Sequence, residues 1–184
     1  MKQVNEKIII AGYGGQGAIS LGYIIAYSAM LDNFQVSHFP SYGAEMRGGT
    51  ANCSVVISNS EIPSPVFAKP TSAIIMNSPS LSKFINRIEK NGILILNEDM
   101  INDIPKNNSL KIISVNANKN AEKLGSLKAA NILLAGVWNG IINLISFESF
   151  KKTIIQFFKK KYEEIIKINL NAFEFGLKLS EKFK

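Results

Sequence analysis

Residues 7–31 constrain the fold more than any other stretch of the 184-residue chain. Lys7-Ile-Ile-Ile-Ala11 is an apolar, β-branched run without alternation, as expected of a strand buried on both faces in the middle of a parallel sheet. Gly12-Tyr-Gly-Gly-Gln-Gly17 follows. Residues 18–31 then place Ile19, Gly22, Ile25-Ala26 and Ala29-Met30 on one side of a helix. Asp32-Asn33 ends that helix, and residues 35–39 predict a second strand. A strand, a glycine turn, a helix and another strand commit the chain to a βαβ beginning.

The pattern continues. Residues 53–58 read as a strand, Asn59-Ser60 as a turn, and Glu61-Ile62 as an antiparallel return before Pro63 and Pro65 stop the pairing. Residues 72–76 predict a buried strand, with a helix starting at Ser78-Pro79 and Ser78 as its cap. Strands follow at 93–96 and 111–115, separated by a polar, irregular stretch. Beyond Ala117 the signals are helical: 121–125, a long apolar helix over 128–144, a helix capped by Ser146 running through Phe158, and a last one over 162–183. The expected architecture is α/β: a single domain over 1–184, a three-layer α/β/α sandwich. Its sheet is mostly parallel but mixed, with an antiparallel hairpin at residues 53–62 and a helical C-terminal third.

Composition narrows the function. Hydrophobic content of 46% and charged content of 19% are those of a globular chain. The net charge of +7 comes from lysine, since only Arg47 and Arg87 are arginines. Lys151-Lys152 and Lys159-Lys160-Lys161 read as the solvated faces of amphipathic helices, with a docking surface for acidic partners as the alternative. Nucleic acid is not the expected partner, because Phe157, Phe158 and Tyr162 have the spacing of a buried helix side. Cys53 is the only cysteine and His38 the only histidine. They support neither an intrachain disulfide, an iron–sulfur cluster, a metal cluster nor a Cys-His pair. No signal-peptide pattern and no apolar run of membrane-spanning length occurs, so a cytoplasmic location is expected.

Two loops carry the chemistry. Gly12-x-Gly14-x-x-Gly17 lies between a strand and a helix, the context of a dinucleotide fingerprint. A carboxylate is wanted after the second strand to hold ribose hydroxyls, yet that strand ends His38-Phe39-Pro40. The motif therefore reads as a tight structural turn or protein contact, or as a phosphate contact, and argues against a free-standing nicotinamide site. No Lys-Ser/Thr follows the glycines, which disfavours nucleoside-triphosphate hydrolysis. The second loop, Pro40-Ser-Tyr-Gly-Ala-Glu-Met-Arg-Gly-Gly-Thr-Ala-Asn-Cys53, lacks the periodicity of a core element. Arg47 in a lysine-dominated chain suggests a planar, bidentate donor. Glu45 is the only carboxylate in either loop, so a subunit contributing to a shared site fits better than a complete enzyme.

Together the loops resemble the gamma subunit of the 2-oxoacid:ferredoxin oxidoreductases. The likeness rests on Gly12, Gly14, Gly15, Gln16 and Gly17, and on Ser41, Tyr42, Gly43, Glu45, Arg47, Gly48 and Gly49. It runs on through Thr50, Ala51, Asn52 and Cys53 to the Glu61-Ile-Pro-Ser-Pro65 turn. Lys128-Ala-Ala-Asn131 and Asn169-x-x-Ala172-Phe173-x-x-Gly176 extend it. The wording from Glu45 to Cys53 is most similar to the 2-oxoglutarate type. The resemblance implies a complex that oxidatively decarboxylates 2-oxoglutarate to succinyl-CoA, with a pyruvate or branched-chain type as alternative. Thiamine diphosphate, Mg2+ and iron–sulfur clusters would be held by alpha, beta and small ferredoxin-like delta subunits, with ferredoxin or a similar acceptor taking the electrons. This chain would bind no cofactor alone. Its two loops, including Thr50 and Asn52, would meet at the C-terminal edge of the sheet and face coenzyme A or the shared site. A nucleotide-binding regulatory domain and a scaffold protein are the remaining alternatives.

Overall fold

A computed structural model describes residues 3–41 and 49–184. The elements are β1 (Asn5–Tyr13), α1 (Ala18–Leu31), β2 (Gln35–Ser41), β3 (Thr50–Ser58), β4 (Ser72–Ile75), α2 (Ser78–Phe84), β5 (Ile93–Asn97), β6 (Lys111–Val115), α3 (Ala117–Lys123), α4 (Ala130–Ile142), α5 (Phe147–Phe158) and α6 (Glu163–Ser180). The strands form one sheet in the order β2-β3-β1-β4-β5-β6. β1, β4, β5 and β6 are parallel, whereas β3 runs antiparallel to both β1 and β2.

The mixed sheet and its antiparallel margin are as expected, but the partner of the antiparallel strand is different. Glu61 and Ile62 lie outside any strand. β3 instead pairs along its length with β1, Asn5 opposite Ser58 through Tyr13 opposite Thr50, and with β2 from Gln35 opposite Ser58 to Ser41 opposite Asn52. The nine residues of β1 and seven of β2 offer two full ladders, where a two-residue return before Pro63 offers almost none. As a result β1 and β2 flank β3 and are not neighbours.

Alternate residues face two cores. Ile8, Ile10, Val55, Ile57, Ile74 and Ile95 point to the side covered by α1, α4, α5 and α6, where Trp138, Phe150 and Phe173 are fully buried. Ile9, Ala11, Ala73, Ile75, Leu94 and Leu96 point to the opposite side, against Leu81 and Phe84 of α2. The nearly unbroken apolar strands of the parallel half follow from this two-sided burial. The Trp138 indole donates to Ser72 Oγ at 3.0 Å, and that hydroxyl donates to Glu6 Oε1 at 2.5 Å. Burial raises the Glu6 carboxyl above its ordinary value, against the opposing Ser72 hydrogen bond.

Local signals explain the element ends. Ser146 accepts from the Ser149 amide at 3.2 Å and caps α5 as anticipated. The α2 cap is one residue earlier than expected. Asn77 Oδ1 accepts from the Ser80 amide at 2.8 Å, and Ser78 and Pro79 form the first turn. Both are N-cap residue types, and the extended backbone of Asn77 at the end of β4 gives it the position. Asp32 joins α1 to α5, accepting from the Ser146 amide and hydroxyl at 2.5 and 2.9 Å and from Ser149 Oγ at 2.5 Å. α4 and α6 meet almost backbone to backbone: a side chain on Gly136 would strike the Phe173 carbonyl, and one on Gly176 the Leu133 carbonyl.

Candidate functional site

The glycine turn leaves the C-terminal end of β1 and enters α1 with Gly15 and Gly17 in the left-handed region, φ 93° and 78°. Gln16 holds it closed. Its backbone amide donates to the Tyr13 carbonyl at 3.1 Å, and its Oε1 accepts from the Tyr13 amide at 2.6 Å. Its Nε2 donates to the Met76 carbonyl at 3.2 Å, tying the turn to the end of β4. A Cβ on Gly12 would lie 2.7 Å from Gln16 Oε1, so that glycine makes room for the glutamine. On the other side, Asn131 Nδ2 donates to the Gly17 carbonyl at 3.2 Å while its Oδ1 accepts from the Ile132 amide at 2.8 Å. A Cβ on Gly17 would collide with that amide group. The turn is thereby fixed from both β4 and α4.

Beside it lies a cleft of about 330 Å³ at the C-terminal ends of β1, β4 and β5, roofed by the start of α4. Tyr13, Gly15 and Gln16 form one wall; Met76, Asn97 and Met100 another; Asn118, Leu127, Lys128, Ala130 and Asn131 complete it. β1 is the strand at which the order reverses, with β3 and β2 on one side and β4 to β6 on the other. Crevices outside the carboxyl ends of strands at such a point are where open α/β sheets bind ligands. The lining is apolar with four side-chain amides and one lysine, and it contains no carboxylate. It suits a ligand with a flat or apolar body, several hydrogen-bonding groups and negative charge near one end. Asn97 is buried; its Nδ2 donates to Asn118 Oδ1 at 2.9 Å, while its own Oδ1 has no hydrogen-bond partner.

Of the residues singled out in the sequence, Gly15 and Gln16 line this cleft, while Gly12 and Gly17 shape the turn and Gly14 is exposed in it. The described ends of the second loop come to the same edge: Ala51 stands opposite Gly12, Thr50 opposite Tyr13, and Asn52 opposite both Ala11 and Ser41. Gly49 directly precedes β3, and none of Ser41, Gly49, Thr50 and Asn52 lines the cleft. Tyr42, Glu45, Arg47 and Gly48 fall outside the described residues. Asn97, Met100, Asn118 and Leu127 belong to no sequence motif, Met76 is marked in the sequence only as the end of a strand, and Lys128 and Asn131 only as part of a helix and of the family likeness. The one local signal for Asn97 is a polar residue closing the apolar run Ile-Leu-Ile-Leu.

The strand order bears on the dinucleotide motif. β3 separates β2 from β1, so the end of β2 sits two strand spacings, roughly 10 Å, from the glycine turn. Besides lacking a carboxylate, it is displaced from the place where ribose hydroxyls would be held. Cys53 faces the α1 side of the sheet, its thiol donating to the Ala18 carbonyl at 3.4 Å, and burial pushes its pKa up to about 12. This is a small apolar side chain packed under Gly22, not a nucleophile. His38 lies on the same side of β2, 6.4 Å from the Tyr23 ring, and burial lowers its pKa. Among the described residues no group of three or more His, Cys, Asp or Glu could hold a metal, and no helix is long and apolar enough to cross a membrane.

Residues 7–179 match the family model described as pyruvate ferredoxin/flavodoxin oxidoreductase. The ketoisovalerate oxidoreductase subunit VorA of Methanothermobacter marburgensis is 36% identical over 177 residues, 96% of this chain and 37% of that relative. The chain thus spans little more than a third of VorA. The 2-oxoglutarate synthase subunit KorC of Methanocaldococcus jannaschii is 30% identical over 183 residues, covering 98% of this chain and 96% of KorC. Two solved structures share the fold. One is a keto/oxoacid ferredoxin oxidoreductase gamma subunit from Geobacter sulfurreducens PCA, with a TM-score of 0.82 at 24% identity, covering 96% of this chain and 99% of that one. The other is the 2-oxoglutarate:ferredoxin oxidoreductase from Magnetococcus marinus with 2-oxoglutarate, coenzyme A and succinyl-CoA bound, with a TM-score of 0.87 at 24% identity, covering 99% of this chain and 32% of that one. The chain belongs to the pyruvate ferredoxin/flavodoxin oxidoreductase family and has the fold of its gamma subunits.

Proposed function

We propose that this chain is the gamma subunit of a cytoplasmic, multi-subunit 2-oxoacid:ferredoxin oxidoreductase, acting on 2-oxoglutarate and coenzyme A. The observation that carries this reading is the end-to-end likeness to KorC, which matches 98% of this chain and 96% of its own length. Alpha, beta and small ferredoxin-like delta chains would hold thiamine diphosphate, Mg2+ and the iron–sulfur clusters. Bound there, thiamine diphosphate supplies the decarboxylation chemistry and the clusters an exit for electrons. This chain's part is to bind and orient. Gly15, Gln16 and Lys128 line a carboxylate-free cleft that suits an elongated anion with a hydrogen-bonding body, and coenzyme A has that chemistry. The Magnetococcus marinus protein with this fold holds coenzyme A, which supports the same ligand here. The loop from Ser41 to Asn52, with Arg47 as its bidentate donor, is proposed to complete the shared site.

A branched-chain reading has one specific observation in its favour, the 36% identity to VorA. Purification of the native complex, identification of its chains by mass, and assay of coenzyme A-dependent dye reduction with each 2-oxoacid decide between the two. The highest kcat/KM is expected with 2-oxoglutarate. A preference for 2-oxoisovalerate would transfer the chain to the branched-chain type. Isolation without any 2-oxoacid-oxidising partner would overturn the proposal altogether.

A further inference from the structure

We infer that the outer face of α1, with Phe157 of α5 beside it, docks an acidic companion chain of the complex. The inference rests on the subunit reading above and goes beyond it by assigning the surface and the chemistry of its partner. None of the fourteen residues of α1 is charged. One side of the helix packs on the core, yet Tyr23, Tyr27, Met30 and Leu31 recur at helical spacing along the opposite side, with Tyr23 44% and Met30 45% exposed. A helix face turned to water ordinarily carries charged and polar residues there. Phe157 widens the stripe, its ring 5.8 Å from that of Tyr23, which stacks on Tyr27 at 5.8 Å. The spacing of Phe157 and Tyr162 predicts a buried helix side, but Phe157 is 39% and Tyr162 83% exposed. A contiguous apolar face rimmed by polar groups marks a protein contact, and tyrosine, phenylalanine and methionine are residues that interface cores favour.

The rim decides the occupant. Residues 147–161 hold five lysines, Lys151, Lys152, Lys159, Lys160 and Lys161, against the single carboxylate of Glu148. Lys152 is close enough to attract Asp32 at the end of the stripe, and Asp32 already accepts from Ser146 and Ser149. Lys159-Lys160-Lys161 directly follows Phe157-Phe158, while Glu163 and Glu164 line a groove with Ile155 along α6. A second copy docked through the same face would bring the same lysines and be repelled. A chain that sets Asp and Glu around an apolar centre is attracted and held in register. The face also reaches the edge of the shared site: α1 begins at the glycine turn, and Lys161 lines a hollow with Lys128, which in turn lines the cleft.

The test uses the native complex. Carbodiimide joins an amine to a carboxylate only where the two are in contact, and it is expected to link Lys152 and the lysines at 159–161 to Asp or Glu of a companion chain. Hydroxyl-radical oxidation of Tyr23, Met30 and Phe157 is expected to fall severalfold from the isolated chain to the complex. Met30→Glu should leave the Tm of the isolated chain near the wild type, since the side chain faces water there, and weaken its association with the companion chains about thirtyfold, as for a lost interface anchor. Equal oxidation in chain and complex overturns the inference, and so does unchanged association of Met30→Glu. Cross-links from these lysines to a second copy of this chain, or protection that appears only with phosphatidylglycerol vesicles, overturn it in favour of self-association or a membrane surface. A chain that purifies without companions overturns the subunit reading as well, and shows this before any of these measurements.

Discussion

Replacing Gly176 by alanine tests the packing that positions the cleft. The added methyl would run into the Leu133 carbonyl and come within 2.9 Å of the Val137 nitrogen and 3.0 Å of Gly136 Cα. These are main-chain atoms of α4, so no side-chain rotation relieves the contact and the helices must separate. Overpacking a tight core costs about 1–3 kcal/mol, and obstacles made of backbone argue for the upper end. Against this, alanine in a helix interior is favoured over glycine by about 1 kcal/mol. The net expectation is a destabilisation of about 2 kcal/mol, which for a chain of this size lowers Tm by about 4–8 °C. Thermal unfolding followed by circular dichroism measures it. Gly136→Ala opposes the same spot from α4, so the double variant should cost less than the sum, because one separation of the helices serves both methyls. The shift also reaches the cleft, since Asn131 in the first turn of α4 and Lys128 just before it line it. A Tm for Gly176→Ala equal to or above the wild type, as expected of a solvent-facing helix glycine, would refute the reasoning.

Other outcomes follow from single side chains. At about pH 8 an ordinary thiol is partly ionised, but Cys53, with its pKa pushed up to about 12, is expected to resist thiol reagents in the native state and react fully in urea; rapid native labelling contradicts that. Glu6 is raised in the folded state, so it favours folding below the ordinary glutamate range, and that contribution is lost as pH rises through the raised value. Glu6→Gln keeps an acceptor for Ser72 and removes the charge, so its urea midpoint should exceed the wild type's at neutral pH, with the gap closing in acid. A gap that widens in acid reverses the sign of the argument. Arg47→Ala and Arg47→Lys are both expected to raise KM for coenzyme A or the 2-oxoacid by about tenfold in the assembled complex, because lysine lacks the planar fork; wild-type kinetics in both variants removes Arg47 from the site.

Several elements could be read from neighbouring residues alone. α1 spans 18–31 as anticipated, and its ends follow from the glycines before Ala18 and Asp32-Asn33 after Leu31. β6 at 111–115 and α5 behind Ser146 were equally local, set by β-branched residues and by a cap. The two glycine-bearing loops stood out because their residue types serve no core. Gln16 and the turn around it owe their prominence to the same local logic.

What local signals could not settle was strand order. Residues 53–58 have the same β-branched pattern whichever neighbour they pair with, and only the competition among complete ladders puts β3 between β1 and β2. The cleft depends on that order. Met76, Asn97 and Asn118 are separated by some twenty residues each in the chain and carry no shared motif, and they meet only because β4 and β5 lie side by side with α3 folded over their ends. The chain's own chemistry thus determined its class, its family likeness and the two loops, since those reside in short stretches of backbone preference and residue type. The cleft and the unpartnered oxygen of Asn97 belong to the tertiary structure, because burial and the lack of a partner are properties of what surrounds a residue in space.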